Sequence, residues 1–235
     1  MARTVLSRRA LLATGGAALV TTALPAVAAN AATPQAAAAA TTPGAALELL
    51  LAGNRRVVAG KPTHPNHSAA QRRKVATAQH PFAITLGCAD SRVSPEVLFD
   101  RGVGDIFDNR VAGNIVDDLL LGSVEFAVAE FATPLIMVLG HERCGAIKAT
   151  LGVVRDGGTP PGHIGAIVHA LRPVVEPLAG GSGDVVEQAV QDNVRTQAAA
   201  LINRSELIRE RVAAGALRVV GARYDLDTGR VTIVK

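Results

Sequence analysis

Two short apolar runs constrain this chain more than anything else in it. Phe82–Cys88 and Pro134–Gly140 are each seven residues long, and each gives way at once to a polar loop. An apolar run of that length, closed by a turn, suits a strand buried on both faces. Strands of that kind belong to parallel sheets covered by helices. The composition agrees. There is no Trp, one Tyr and five Phe, so the core must come mainly from Val, Leu, Ile and Ala.

The rest of the chain alternates accordingly. A helical pattern starts at Gly44 and runs through Leu47–Leu50 into Asn54–Arg56. A short helix covers Ser68–Ala78 and ends before Pro81, since a residue preceding Pro disfavours the helical region. Ser94-Pro95-Glu96 opens another helix with a cap residue, a first-turn Pro and an acid. Asp105–Arg110 is a weaker strand candidate, and Asp117 or Asp118 caps an amphipathic helix that lasts to about Phe131. A helix begins near Gly145 after the second apolar run, and residues 155–162 form a Gly/Pro loop. Helices follow over 163–176, 184–203 and 205–214. Leu217–Arg223, a turn at Asp225–Gly229, and Arg230–Val234 read as a terminal hairpin. The expected fold is α/β, with a mostly parallel sheet of four to five strands flanked by helices and a C-terminal hairpin.

Charge and the N-terminus narrow the function classes. The net charge is +4, yet the first 28 residues hold Arg3, Arg8 and Arg9 and no acid; the remaining chain carries 21 basic and 20 acidic residues. A nucleic-acid footprint needs basic residues gathered on one folded face, so none is expected. Arg55–Arg56 and Arg72–Lys74 read as solvated helix faces. Residues 1–28 have the parts of an export signal: paired arginines at Arg8–Arg9, a weakly apolar run from Ala13 to Pro25, and Ala26-Val27-Ala28 as a cleavage site. The pair resembles a twin-arginine signal, which places the mature protein in the periplasm, in the cell envelope or outside the cell. The apolar run is shorter than the roughly 20 residues of a membrane span, so no stable anchor is expected. The uncharged stretch 29–46 reads as a flexible tether, leaving a catalytic domain at 47–235.

The chain has only two cysteines, and both sit at strand ends. One opens Cys88-Ala89-Asp90-Ser91-Arg92, and the other closes His141-Glu142-Arg143-Cys144. Sites in open parallel sheets form at the carboxyl ends of strands, so two adjacent strands would bring these segments together although they are 53 residues apart. On cysteine count alone a disulfide is the default for an exported chain. A disulfide, however, gives no reason for a His three residues before Cys144, or for Asp90 and Arg92. Two thiolates and an imidazole favour zinc, and three protein ligands mark a catalytic rather than a structural zinc site. Neither His64, His67, His80, His163 nor His169 has Cys or a carboxylate at ligand spacing.

Cys88-Ala89-Asp90-Ser91-Arg92-Val93 and Gly140-His141-x-x-Cys144-Gly145 resemble the two signature segments of β-class carbonic anhydrases. Gln79, Gly104-Asp105-x-Phe107-x-x-Arg110 and Gly122-Ser123-x-Glu125-Phe126-Ala127 extend the likeness over almost the whole chain after Leu47. The resemblance implies one zinc ion per chain on Cys88, His141 and Cys144. It makes Asp90 either a hydrogen-bond partner of zinc-bound hydroxide or, in a closed state, a fourth ligand, with Arg92 holding it in the open position. It sets Gln79, Phe107 and Phe126 around the substrate pocket, and the Gly145 N–H on the substrate. It implies reversible hydration of CO2 to bicarbonate and a proton, in a homodimer or homotetramer whose pocket uses both chains. The chain departs from the family at Phe126, often Tyr, and at Val111, usually Asn. Hydrolysis of CS2 or carbonyl sulfide on the same fold, non-catalytic zinc binding and thiol–disulfide exchange are the competing readings. The cysteines lack the C-x-x-C spacing of the last.

Overall fold

A computed structural model of the chain describes residues 40–235. The export signal read at 1–28 and most of the tether read at 29–46 lie outside the described residues. Helix α1 (Pro43–Val58) starts inside that tether. Thr42 is extended, its hydroxyl accepts the Ala45 N–H, and Pro43 fills the first turn. Ala46 and Leu50 are fully buried, so the folded domain begins before residue 47. The helix thus begins one residue before Gly44, where the helical pattern starts, and takes the last residues of the stretch read as a tether.

Five strands form one sheet: β1 (Ala83–Gly87), β2 (Ile106–Arg110), β3 (Leu135–His141), β4 (Arg218–Tyr224) and β5 (Val231–Val234). Their order is β2-β1-β3-β4-β5. The first four are mutually parallel, and β5 closes an antiparallel hairpin with β4. This is the α/β sheet that the alternation of runs implied. The helices are α2 (Ala69–Val75), α3 (Pro95–Leu98), α4 (Asp118–Phe131), α5 (Gly145–Asp156), α6 (Ile164–Val175), α7 (Val185–Arg204) and α8 (Glu206–Ala213). None among the described residues is long and apolar enough to cross a membrane.

Every residue of β1 and β3 is buried, because both faces of the sheet are covered. On one face Ala83, Leu135, Met137 and Leu139 meet Ala46 and Leu50 of α1 together with Phe99. On the other, Ile84, Leu86, Ile136 and Val138 meet Val124 and Val128 of α4, Val194 and Leu201 of α7, and Ile208 of α8. α7 lies unusually close to the sheet. A Cβ on Gly140 would stand 2.5 Å from Val194 Cγ2, and one on Gly221 2.6 Å from Val194 Cγ1. Both glycines exist to admit that valine.

The topology fixes where chemistry can occur. From β1 the chain moves to β2 on one side, while β3 lies on the other. The carboxyl ends of β1 and β3 therefore flank the switch point of the sheet, where open α/β folds bind ligands.

Candidate metal centre

Cys88 follows the last residue of β1, His141 is the last residue of β3, and Cys144 caps the N-terminus of α5. Parallel pairing of β1 with β3, in the register Gly87 to Leu139, places the two segments side by side. One donor atom from each of the three side chains lies within 4.8 Å of the other two. A zinc ion bonds sulfur at about 2.3 Å and imidazole nitrogen at about 2.0–2.1 Å, so a single ion can bridge the set. All three residues are buried, and both cysteines are free thiols.

Hydrogen bonding tests whether these residues suit a metal. His141 Nδ1 lies 2.9 Å from its neighbour's carbonyl, Glu142 O. That bond fixes the proton on Nδ1 and leaves the Nε2 lone pair free, the usual outer-shell arrangement of a ligating histidine. Nε2 is buried and has no hydrogen-bond partner. A buried nitrogen left in that state costs about 1–3 kcal/mol, and a cation between the two sulfurs removes the cost. The sulfurs agree. The Cys144 thiol bonded to Cys88 holds the Cys88 thiol far below its ordinary value, against the opposing effect of burial, with help from the N–H groups of Gly113 and Asp90. The same bond, together with burial, pushes Cys144 up, although the N–H groups of Ile147 and Ala146 at the start of α5 favour its thiolate. A divalent cation held there would take the place of both thiol protons.

Asp90 stands at the edge of this group, its Oδ2 3.9 Å from His141 Nε2. Arg92 grips it through a two-pronged fork and a backbone N–H. The guanidinium hydrogen bond is the main reason the carboxyl lies well below the usual carboxylate range. Asp90 is therefore ionised and accepts hydrogen bonds only. Gly145 is exposed at the first position of α5, and open space surrounds the place of its missing Cβ.

The other sequence candidates are not gathered here by one chain. Gln79 is exposed in the coil before β1, at the opposite end of that strand from Cys88. Phe107 lies abreast of Ile84 on β2. It contacts Phe126 and Phe131 of α4, with ring centroids 6.3 Å and 6.0 Å away, and Phe126 is 54% exposed. His64 and His67 pack against each other. The His64 N–H bonds Asp100 and the His67 ring bonds Arg101 O, just before β2 and so at the amino end of the sheet.

Three sets of contacts escaped the sequence reading, although Arg110 itself stands in the Gly104–Arg110 block of the resemblance. Arg110, at the end of β2, donates to Cys88 O at 3.0 Å and to Asp90 O at 2.6 Å, anchoring the loop that carries both residues. Its register opposite Gly87 is a tertiary fact with no local signal. The Gly113 N–H points at Cys88 Sγ from 3.4 Å. Finally, the β4–β5 turn clamps the two residues between His141 and Cys144. Arg143, held at φ +51°, forks onto Asp227 at 2.8 and 2.7 Å. Glu142 accepts the Leu226 N–H at 3.0 Å and pairs with Arg223.

Comparison with known proteins agrees with this geometry. The profile of the carbonic anhydrase family matches residues 83–231. A relative named carbonic anhydrase 2 from Mycobacterium tuberculosis is 44% identical over 186 residues, covering 78% of this chain and 89% of the relative. A carbonic anhydrase of Mycolicibacterium smegmatis is 42% identical over 183 residues, covering 77% and 88%. Among solved structures, a tetrameric β-carbonic anhydrase of Sordaria macrospora superposes with a TM-score of 0.64 at 27% identity, over 80% of this chain and 96% of that one. A Coccomyxa β-carbonic anhydrase bound to acetazolamide gives 0.61 at 32% identity, over 80% and 86%.

Proposed function

The chain belongs to the β-class carbonic anhydrases, and from that premise we propose that it hydrates CO2 reversibly to bicarbonate and a proton, using one zinc ion held by Cys88, His141 and Cys144. The observation that carries the metal assignment is His141 Nε2: buried, unpartnered, and within ligand spacing of two sulfurs. Bound there, zinc supplies Lewis acidity that lowers the pKa of a coordinated water from about 15.7 towards about 7.

The protein's own groups do the rest. Asp90 is ionised and can only accept, so it takes a hydrogen bond from the attacking oxygen and turns that oxygen's lone pair towards the carbon. A carboxylate so near a metal also competes for it. Arg92 opposes that competition by occupying both oxygens of Asp90 in a bidentate pair. The Gly145 N–H, at the positive end of α5, suits an oxygen of CO2 or bicarbonate as negative charge builds on it.

A second copy of the chain completes the pocket in this proposal. Gln79 stands at the wrong end of its own strand to serve its own Cys88. Leu119, 84% exposed, and Phe126 present apolar surface on α4, and the solved relative from Sordaria is tetrameric. The signal-like residues 1–28 support export as part of the same proposal. The test measures CO2 hydration and bound metal on one preparation. Activity that vanishes with zinc on chelation and returns when zinc is restored fits the reading; full activity in zinc-free protein overturns it.

A further inference from the structure

The loop after β2 reaches a ligand atom of the metal centre through one hydrogen bond, the Gly113 N–H to Cys88 Sγ at 3.4 Å. Gly113 has φ +82°, and a Cβ there would stand 2.9 Å from Leu171 Cδ1. Only glycine fits this backbone without strain. Its own loop turns around it, with the Asn114 N–H on Val111 O at 2.9 Å, and α7 holds it from the other side through two side-chain amides in series. Asn193 Nδ2 donates to Gly113 O at 2.8 Å. Gln197 Nε2 donates to Asn193 Oδ1 at 2.9 Å. Gln197 Oε1 accepts the Val116 N–H at 2.9 Å. Arg204, at the end of the same helix, donates to Val116 O.

Asn193 and Gln197 are four residues apart and share one face of α7. They are 1% and 6% exposed. Buried amides are costly unless they are bonded, and an apolar pair would pack that face more cheaply. Hydrogen bonds in series strengthen one another in a low-dielectric interior. The series ends on Gly113 O, one Cα away from the N–H that meets the ligand sulfur, so it acts on that N–H by fixing its position, and the bonded N–H withdraws negative charge from the sulfur.

We propose that Asn193 and Gln197 are positioning residues of the metal centre. Through Gly113 they hold the N–H that steadies Cys88 Sγ and limits the charge it donates to the metal. The proposal rests on the metal reading above. Loss of such an outer-shell partner typically costs about 10–100-fold in metal affinity. Loss of the N–H bond also leaves the sulfur richer in electrons, so a sulfur-to-metal charge-transfer transition moves to lower energy.

The test uses the full chain as wild type, Asn193→Leu and Gln197→Met. Zinc release into a chromophoric chelator is timed, and the thiolate charge-transfer band is recorded on the cobalt(II)-substituted proteins. Both variants should release zinc faster, Asn193→Leu by roughly tenfold, with the band moved to longer wavelength. Folded variants that release zinc at the wild-type rate with an unmoved band overturn the proposal. So does an equal loss of Tm with and without metal alongside an unmoved band, since that is packing alone. Should Asn193→Leu fail to fold, Gln197→Glu carries the test. It keeps the acceptor for the Val116 N–H and loses the donor to Asn193, so a smaller shift in the same direction is expected and an unmoved band refutes it. A wild-type protein that binds no zinc ends the metal reading and the relay with it; wild-type binding with unaltered variants ends the relay alone.

Discussion

Arg92 holds both oxygens of Asp90, with Nε 2.9 Å from Oδ1 and Nη2 2.7 Å from Oδ2, while Asp90 Oδ2 remains only 3.9 Å from His141 Nε2. The carboxylate therefore stands between two claims, a guanidinium on one side and the metal ligands on the other. That balance is open to direct tests.

Arg92→Ala removes the guanidinium and leaves an ionised carboxylate beside the ligand set. CO2 hydration should fall by about 100-fold, the upper range for removal of an outer-shell partner, while one zinc per chain is retained. Stopped-flow assays paired with metal analysis check this. Near-normal turnover in a zinc-loaded variant would disprove the gate.

The ligand set predicts the pH profile. With zinc held as proposed, two thiolates would offset its two positive charges, so the field on a water there would be weaker than in a site with neutral ligands only. The rate should still be rising with pH above neutrality. A profile already flat below pH 7 would contradict the charge argument.

How much of this was legible beforehand follows from distance along the chain. Cys88, Asp90 and Arg92 lie within five residues, and His141 and Cys144 within four. Each segment ends a strand whose apolar run is local, so strand and motif could be read together. The relation between the two segments needed only the rule that parallel neighbours share their carboxyl ends. The supports were invisible for the converse reason. Arg143 and Asp227 are 84 residues apart, Asn193 and Gly113 80, and none of these four residues has a spacing pattern of its own. Gln79 shows the limit of motif likeness. Its distance from Cys88 along the chain says nothing of which end of the strand it occupies, and the structure puts it at the far one. The boundary between tether and helix blurred over residues 44–46, which fit both the uncharged stretch and the helical pattern from Gly44, because Ala, Pro and Gly carry no visible period over a single helical turn.

Gly140→Ala tests the close approach of α7. The added methyl would meet Val194 Cγ2 at 2.5 Å, in a core that cannot yield freely. Overpacking of this kind costs about 1–3 kcal/mol, to be read from denaturant unfolding of the variant. Val194→Ala in the same background should recover part of the loss by making room. An unchanged midpoint for Gly140→Ala would show that the helix can shift.

Asp100 predicts an acid limb of stability. Burial alone would raise its pKa. The Thr63 N–H, the Arg56 guanidinium, the His64 N–H and the Thr63 hydroxyl outweigh burial and hold it down at about 2. A carboxyl whose folded value is depressed stabilises the fold above its unfolded value of about 3.9. That contribution is lost as pH falls from about 4 towards about 2, and amounts to roughly 2 kcal/mol. Asp100→Asn should be less stable at neutral pH and should show a shallower loss between pH 5 and 2. Parallel stability–pH curves for variant and wild type would refute the assignment.

The most direct measurement is zinc-edge X-ray absorption on the purified protein, which reports the atoms around the ion. Cys88, His141 and Cys144 on one metal require two sulfurs at about 2.3 Å with nitrogen or oxygen at about 2.0–2.1 Å filling the rest of the shell. A shell without sulfur, or a folded metal-free protein whose mass shows Cys88 and Cys144 joined as a disulfide, would contradict the account.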